Sequence, residues 1–226
     1  MTDIELKVNG EAVRLEDHPD LTLLGALRDR LGIMSPKDGC APQGQCGCCT
    51  VMIDGKPQMA CRHSLKKTSG KEVVTLEGLS DRKRQLIAES FVRVGGLQCG
   101  FCIPGIAMRA AALLEKTPSV DVQAIHRAMS PHICRCTGYV KISEAIETLA
   151  THWEDPEPPG IEEDPVVGGR SPRFEGVESV LGLRPYVDDL TAERMVYGAL
   201  RLADHPRPGF WGSIHGPRKR CRASSA

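Results

Sequence analysis

Cysteine is the residue whose number and spacing point most directly to chemistry in this chain. Eight of the ten cysteines fall into two groups of four, and the other two are Cys48 and Cys221. Four thiolates are the ligands that one [2Fe–2S] cluster needs, and such clusters carry electrons one at a time. The first group is Cys40, Cys46, Cys49 and Cys61, and the second is Cys99, Cys102, Cys134 and Cys136.

The first group has the arrangement of a cluster-binding loop. Two residues separate Cys46 from Cys49, and Cys61 follows at a distance, as in plant-type ferredoxins. Gly44 and Gly47 lie among these cysteines. Glycine permits the positive φ and the close backbone approach that let N–H groups point at the sulfides. This loop is therefore predicted to hold a [2Fe–2S] cluster.

Two alternatives concern the first group. A structural zinc ion also binds four thiolates, but zinc sites usually pair two C-x₂₋₄-C turns, whereas here three ligands lie together and one apart. Cys48 is an alternative ligand to its neighbour Cys49. The frame from Gly47 to Val51 puts Cys49 in the third ligand position, so we predict that Cys48 is a small buried thiol.

The second group is placed next to helices. Cys99 and Cys102 directly precede one predicted helix, and Cys134 and Cys136 precede another. Helix N-termini carry partial positive charge and free N–H groups that stabilise thiolates, so two facing helix starts predict a second cluster site. Taken alone, the C-x₂-C and C-x-C spacings also suit zinc. We predict that His132, near Cys134, is solvated.

Composition limits the function classes. The 29 basic and 29 acidic residues balance, which indicates neither nucleic acid nor an anionic membrane as a partner. No apolar run approaches the roughly 18 residues of a membrane-spanning helix. The N-terminus lacks the features of an export signal, so we expect a cytoplasmic location. A secreted disulfide framework is the alternative, and the close C-x-C spacing argues against it.

The N-terminal part has the pattern of a small sheet. Alternating apolar residues predict a hairpin over 4–16, and helical spacing of leucines predicts a helix over 21–31 that stops at a glycine. A second hairpin over 51–61 and a short strand over 73–76 follow. This order predicts a mixed sheet on one helix, in a domain of residues 1–78.

The pattern becomes helical after this sheet, which makes the fold class α+β. Residues 79–153 are predicted to form a four-helix domain, with Thr137 as the cap of its last helix. An acidic, proline-rich linker is predicted over 154–171. The predicted helices cover 81–94, 103–116, 121–129, 138–153 and, beyond the linker, 191–202.

Three motifs together resemble the iron–sulfur part of the molybdenum hydroxylases, the family of xanthine dehydrogenase and aldehyde oxidoreductase. They are Gly39–Val51, Leu97–Gly105 and Ile133–Tyr139. The resemblance covers residues 1 to about 153. It implies a β-grasp ferredoxin domain followed by the helical [2Fe–2S] domain of this family. One departure is that five residues separate Cys40 from Cys46, where the spacing is commonly four; we expect ligation to survive the longer loop.

The resemblance also implies a role for the chain. It would be an oxidoreductase module without catalytic residues of its own. A molybdopterin centre in a large subunit or domain would oxidise aldehydes or xanthine-like N-heterocycles. The electrons would pass singly through the helical-domain cluster and then the ferredoxin-domain cluster to an acceptor, which is a flavin subunit, a ferredoxin or another carrier. Gln98 and Cys136 match the positions that approach the pterin.

The C-terminal part carries a second resemblance. Residues 166–207 resemble the opening of the family's large molybdenum-binding subunit, which implies the truncated start of its α/β hammerhead domain over 172–207. From Pro208 to Ala226 the expected strand pattern is lost. We predict a frameshift in the gene of a longer fused enzyme before this irregular tail, and a natural basic tail is the alternative. The rival functions are a free-standing two-cluster ferredoxin and a zinc-stabilised interaction module.

Overall fold

The computed structural model describes residues 3–40, 42–117, 119–161, 166–169, 171–196 and 198. The chain divides into two compact units, Met1–Leu190 and Thr191–Ala226. In the second unit, the described residues contain a turn in which Met195 N donates to Ala192 O over 3.0 Å. These described residues contain no helix, so the prediction of a helix over 191–202 is wrong for them. The tail from Pro208 onward lies outside the described residues.

Five short strands form one mixed sheet in the N-terminal half: β1 (Asp3–Val8), β2 (Glu11–Glu16), β3 (Thr50–Ile53), β4 (Lys56–Met59) and β5 (Glu72–Val74). Their order in the sheet is β2-β1-β5-β3-β4. The alternation in β1 buries Ile4, Leu6 and Val8 on one face, as the period of two requires. Both predicted hairpins are confirmed, and β5 joins them by pairing with β1 and β3.

The helix predicted in the N-terminal half is present but irregular. Thr22 Oγ1 accepts a hydrogen bond from Gly25 N over 3.1 Å at its start. One α-helical turn, α1 (Leu23–Gly25), continues as a wider π-helical turn over Ala26–Arg30. Leu23 and Leu27 are fully buried in the core beneath the sheet. Apolar spacing predicted the buried face but not the change of winding.

Four helices follow the sheet: α2 (Asp81–Val94), α3 (Ile103–Leu114), α4 (Val122–Met129) and α5 (Val140–Thr151). Two polar side chains cap them as the sequence suggests. Ser80 accepts from the N–H of Lys83 at the start of α2, and Asp121 accepts from that of Ala124 at the start of α4. The four predicted helices are thus confirmed, and each end lies within two residues of its predicted position.

The start of α5 was predicted wrongly. The helix begins at Val140, and its N-cap residue is Tyr139, which has a left-handed φ of +69°. The hydroxyl of Thr137 accepts from the N–H of Tyr139 over 3.2 Å, so it holds the turn before the helix rather than the helix itself.

Two hydrophobic cores meet at the cysteine-rich loop. Cys46 and Cys48 belong to the core of the helices, whereas Cys49 and Cys61 belong to the core of the sheet. Helix α3 also packs on strand β3. The first cysteine group therefore lies in the seam between sheet and helices.

The chain beyond α5 returns across the helices. Residues 154–161 are extended, and the side chains of Arg82 and Arg93 donate to the carbonyl groups of Pro156 and Pro159. A short helix, α6 (Gly176–Val180), then packs on α2 and α3. Among the described residues, no helix is both long and apolar enough to cross a bilayer.

Candidate metal centres

The thiols of the first cysteine group meet as two pairs. Cys40 lies within hydrogen-bonding reach of Cys46, which is also within reach of Cys48, and Cys49 lies within reach of Cys61. The first three come from the loop before β3. Cys61 was predicted on the return strand, but it lies on the 3₁₀ turn Ala60–Arg62 directly after β4, two residues beyond the end of that strand. The structure thus brings all four predicted ligands into one place.

The second group is also arranged as two pairs. Cys99 Sγ lies 3.5 Å from Cys136 Sγ, and the thiols of Cys102 and Cys134 are within hydrogen-bonding reach. Cys102 directly precedes α3, as predicted. The prediction that Cys134 and Cys136 directly precede a helix is wrong, because α5 begins only at Val140.

Beside the second group, where a helix start was predicted, the side chain of Tyr139 makes the contacts to the loop. Its hydroxyl accepts from the N–H of Cys134 over 2.9 Å and donates to the carbonyl of His132 over 3.1 Å. The phenol therefore holds the loop that carries Cys134.

Pairing is the arrangement that a two-iron cluster requires, since each iron takes two of the four thiolates. A structural zinc ion instead needs its ligands around one point. The donor set and its pairing therefore fit [2Fe–2S] clusters better than zinc.

Backbone N–H groups point at the sulfur of Cys40. Partial burial acts to raise the pKa of this thiol, but the N–H groups of Gln45 and Cys46 outweigh it and lower the pKa to about 7. The thiolate is the form that binds metal. The loop is thus built to stabilise negative charge on sulfur, as an anionic cluster requires.

The hydroxyl of Thr137 does the same for Cys134, whose sulfur lies 3.1 Å away. Burial acts to raise the pKa of Cys134, yet hydrogen bonds from Thr137 and from the Cys136 backbone lower it overall. Burial raises the pKa of Cys49 and Cys102, so these thiols are protonated without metal and lose a proton when they bind it.

Cys48 is buried, as predicted, with 4% of its surface exposed. Burial also raises the pKa of its thiol. Its sulfur faces the carbonyl oxygen of Cys46 at 3.9 Å. That Cys48 is not a ligand stays a prediction.

The two cysteine loops touch through glycine. A Cβ atom at Gly105 in α3 would lie 2.5 Å from the carbonyl oxygen of Gly47, and one at Gly47 would lie 2.8 Å from that of Pro131. Only glycine permits such approaches. At the same place, Ile133 N donates to Cys46 O over 3.0 Å. This bond joins a ligand of the first group to the residue that precedes Cys134.

His132 is not solvated, and that prediction is wrong. The residue is 3% exposed, and neither ring nitrogen has a hydrogen-bond partner within the described residues. Burial, with a smaller contribution from the charge of Arg109, lowers its pKa to about 3. The neutral ring packs against Gly47, a tertiary contact that no local sequence signal announces.

Gln98 and Cys136, both predicted to approach the pterin, are in contact with each other. Gln98 Nε2 donates to the carbonyl oxygen of Cys136 over 3.0 Å. Gln98 and the neighbouring Cys99 are exposed. The second cysteine group therefore reaches the protein surface at this edge.

Sequence reasoning missed Tyr186. Its hydroxyl donates to the carbonyl oxygen of Cys99 over 2.6 Å, although 87 positions separate the two residues. No residue pattern near Tyr186 indicates this contact.

Comparison with known proteins gives two matching families. The family described as "2Fe-2S iron-sulfur cluster binding domain" matches residues 6–74, and "[2Fe-2S] binding domain" matches residues 75–147. The nicotinate dehydrogenase small FeS subunit of Eubacterium barkeri is 41% identical over 144 residues, which cover 63% of this chain and 91% of that protein. The xanthine dehydrogenase iron-sulfur-binding subunit of Escherichia coli O157:H7 is 36% identical over 146 residues, 63% of this chain and 91% of that subunit.

Solved structures are similar as well. The aldehyde oxidoreductase from Desulfovibrio desulfuricans ATCC 27774 has a TM-score of 0.76 and 32% identity, over 84% of this chain but 22% of that one. This chain thus spans less than a quarter of that enzyme. A chain of quinoline 2-oxidoreductase from Pseudomonas putida 86 has a TM-score of 0.64 and 34% identity, over 69% of this chain and 98% of its own length.

Proposed function

Because this chain belongs to the iron–sulfur part of the xanthine dehydrogenase and aldehyde oxidoreductase family of molybdenum hydroxylases, we propose a definite ligand set and a definite place for it in a larger enzyme. The chain is an electron-transferring iron–sulfur module of an oxidoreductase and binds two [2Fe–2S] clusters. In our proposal the ferredoxin-domain cluster is held by Cys40, Cys46, Cys49 and Cys61, and the helical-domain cluster by Cys99, Cys102, Cys134 and Cys136.

The observation that carries this ligand set is the pairing of thiols in each group, with backbone N–H groups directed at Cys40. When bound, each cluster accepts and releases one electron at a time. The hydrogen bond from Ile133 to Cys46 gives the two ligand loops a direct connection, which suits a relay.

The exposed edge at Gln98 and Cys136 is the proposed face toward the molybdopterin. Gln98 uses one amide donor on the carbonyl of Cys136, which leaves its second donor and its carbonyl oxygen to recognise a polar ring edge. Electrons would enter at the helical-domain cluster and leave from the ferredoxin-domain cluster to a flavin subunit, a ferredoxin or another acceptor. The parent reaction is the oxidation of an aldehyde or N-heterocycle, and its substrate is chosen by the molybdenum-binding partner.

The proposed domain organisation follows the same family. Residues 1–78 form a β-grasp domain, 79–153 a helical domain and 154–171 a linker, and 172–207 begin a hammerhead domain. The aldehyde oxidoreductase chain, of which the match covers 22%, matches 84% of this chain, whereas the quinoline 2-oxidoreductase chain matches 69%. This difference supports a fused start of the molybdenum-binding part. We also propose a cytoplasmic location.

Anaerobic reconstitution of the full chain tests the ligand set. We expect about four irons and about four acid-labile sulfides per chain, and two distinct electron paramagnetic resonance (EPR) signals after reduction. Cys49→Ala should remove one signal and Cys102→Ala the other. Cys48→Ala is the matched control and should keep both. A colourless chain with stoichiometric zinc, or loss of a signal in Cys48→Ala alone, contradicts the assignment.

A binding measurement tests the place in the enzyme. Mixed with a molybdopterin-loaded large subunit of a relative, the chain should form a stable complex, and Gln98→Ala should weaken it. A chain that binds no such subunit but reduces soluble electron acceptors equally well would favour the free-standing ferredoxin.

A further inference from the structure

Tyr186 contacts the loop between Cys99 and Cys102 through its hydroxyl and its ring. Its hydroxyl donates to the Cys99 carbonyl over 2.6 Å, and its ring packs edge-on against Phe101 with the centroids 5.0 Å apart. A Cβ atom at Gly100 would lie 3.0 Å from the Tyr186 hydroxyl, so the phenol covers this part of the loop closely.

Asp189 makes a buried ion cluster with the N-terminal half of the chain. Its Oδ1 lies 2.7 Å from Arg28 Nη2, and its Oδ2 lies 2.7 Å from Lys37 Nζ. The side chains of Asp189 and Lys37 are 4% and 1% exposed, and that of Arg28 is 9% exposed. Close charge-assisted bonds between buried partners of this kind fix geometry strongly.

Asp189 and Tyr186 are also hydrogen-bonded to each other. Asp189 Oδ2 accepts from the N–H of Tyr186 over 2.9 Å, and Lys37 Nζ lies 5.1 Å from the centre of the Tyr186 ring. Tyr186 is the N-cap residue of the turn Val187–Asp189, so both contacts are made from one turn.

Lys37 connects this turn to the first cysteine loop. Its own N–H donates to the carbonyl oxygen of Cys48 over 3.1 Å. Arg28 donates through Nη1 to the carbonyl of Pro36, the residue before Lys37. Asp189 thus reaches the first loop, while Tyr186 reaches the second.

We propose that Tyr186 and Asp189 are positioning residues that fix the two cysteine loops relative to each other, and so set the magnetic and electronic coupling between the clusters. The proposal rests on the ligand set given above. It assigns to residues 184–190 a role in electron transfer, although none of them is a ligand. Gly47, Gly105 and the bond from Ile133 hold the loops together on one side, and the turn over 187–189 holds them on another.

The test uses the full reconstituted chain in three variants. Asp189→Asn removes the charge, Tyr186→Phe removes one hydroxyl and keeps the ring, and Asp188→Asn is the matched control. Asp188 is the neighbouring carboxylate, 76% exposed and 3.9 Å from Arg28. The readouts are the EPR line positions of each reduced cluster, the splitting between them when both are reduced, and both midpoint potentials.

We expect Asp189→Asn to lose part of the splitting and to shift both sets of lines. Tyr186→Phe should also lose part of the splitting, and it should shift the lines and the potential of the helical-domain cluster while leaving those of the ferredoxin-domain cluster unchanged. Asp188→Asn should match the wild type. Iron content is measured in parallel, so that a change in cluster number is separated from a change in geometry.

An unchanged splitting in both Asp189→Asn and Tyr186→Phe, with iron at the wild-type level, would overturn the proposal. If Asp189→Asn fails to fold, Tyr186→Phe decides alone, because it keeps all three charges. Wild-type protein with one cluster or none would instead refute the proposed ligand set, so the two failures are distinguishable.

Discussion

At the scale of single residues, backbone N–H groups decide which thiols ionise first. Cys40 lies in a loop whose N–H groups face its sulfur. Cys102 is the N-cap residue of α3, but its thiol is buried in the core. The spacing of the cysteines predicts both as ligands. It could not rank their pKa values, because these depend on burial and on where the N–H groups point after folding.

Alkylation of the metal-free chain should show this ranking. Cys40 is expected to react fastest with iodoacetamide, and its rate should be half-maximal near pH 7 and fall below it as the thiolate is protonated. Cys102 should stay nearly inert, because burial raises its pKa. Peptide mass spectrometry over a pH series measures both rates, and equal reactivity of the two thiols would contradict the structure.

Tyr139 provides a second test at this scale. Tyr139→Phe removes the partner of the Cys134 N–H and of the His132 carbonyl. Because both groups are partly shielded from water, we expect the free energy of unfolding to fall by about 1–2 kcal/mol. Urea denaturation measures the loss, and Val140→Ala, at an exposed neighbouring position, is the control. Equal stability of wild type and Tyr139→Phe would show that the bonds contribute nothing.

At the scale of elements, local signals predicted what local physics decides. The two hairpins, the strand over 73–76 and the four helices after the sheet all lie within two residues of where the sequence indicated. The π-helical turn after α1 and the late start of α5 did not follow from spacing, because packing beneath the sheet and the Tyr139 bonds to the Cys134 loop determine them.

Gly105 tests the contact between α3 and the first cysteine loop. In an ordinary helix Gly→Ala stabilises by about 0.5–1 kcal/mol. At Gly105 the new methyl group would lie 2.5 Å from the Gly47 carbonyl, so we expect a net loss of about 1–3 kcal/mol and weaker binding of both clusters. Gly25→Ala is the matched control, since its nearest neighbour is a flexible Leu21 methyl at 3.2 Å. Thermal unfolding and iron content are the measurements, and a stabilised Gly105→Ala would refute the contact.

At the scale of the whole molecule, the turn Val187–Asp189 supplies the carboxylate that pairs with Arg28 and Lys37 in the N-terminal half. Partial burial acts to raise the pKa of Asp189, but Lys37, the Tyr186 N–H and Arg28 outweigh it and lower the pKa below its ordinary value. A carboxyl with a lowered folded pKa stabilises above its unfolded pKa of about 4 and loses this contribution as the pH falls through the folded value.

Acid titration of stability should therefore expose this ion cluster. Near pH 7 Asp189→Asn is expected to lose about 3 kcal/mol, because two buried cations are left without their partner. Below about pH 4 the wild type should lose stability as well, so the difference between the two proteins narrows. Asp188→Asn, at the exposed neighbouring position, should stay within about 0.5 kcal/mol of the wild type throughout. Urea midpoints across the pH series measure this, and a constant gap between Asp189→Asn and wild type would count against the ion pairs.

The two groups of four cysteines stand out in the sequence, but this long-range contact does not. Cysteine spacing carries its own chemistry, and four thiols at those intervals have few other uses. Asp189 pairs with Arg28 across 161 positions, and its neighbour Asp188 looks the same in sequence. Only the folded path of residues 171–190 distinguishes them.

In the loop from Cys46 to Cys49, neighbouring side chains are buried in different cores, because Cys48 lies in the core of the helices and Cys49 in that of the sheet. This shared loop limits where the gene can be divided between the two domains. A polypeptide cut between the two matched families, after residue 74, would leave an open apolar seam on both pieces. Recombination should therefore pass these halves on as a single heritable block. The small subunits of Eubacterium barkeri and Escherichia coli are aligned over 144 and 146 residues, long enough to hold both halves on one polypeptide.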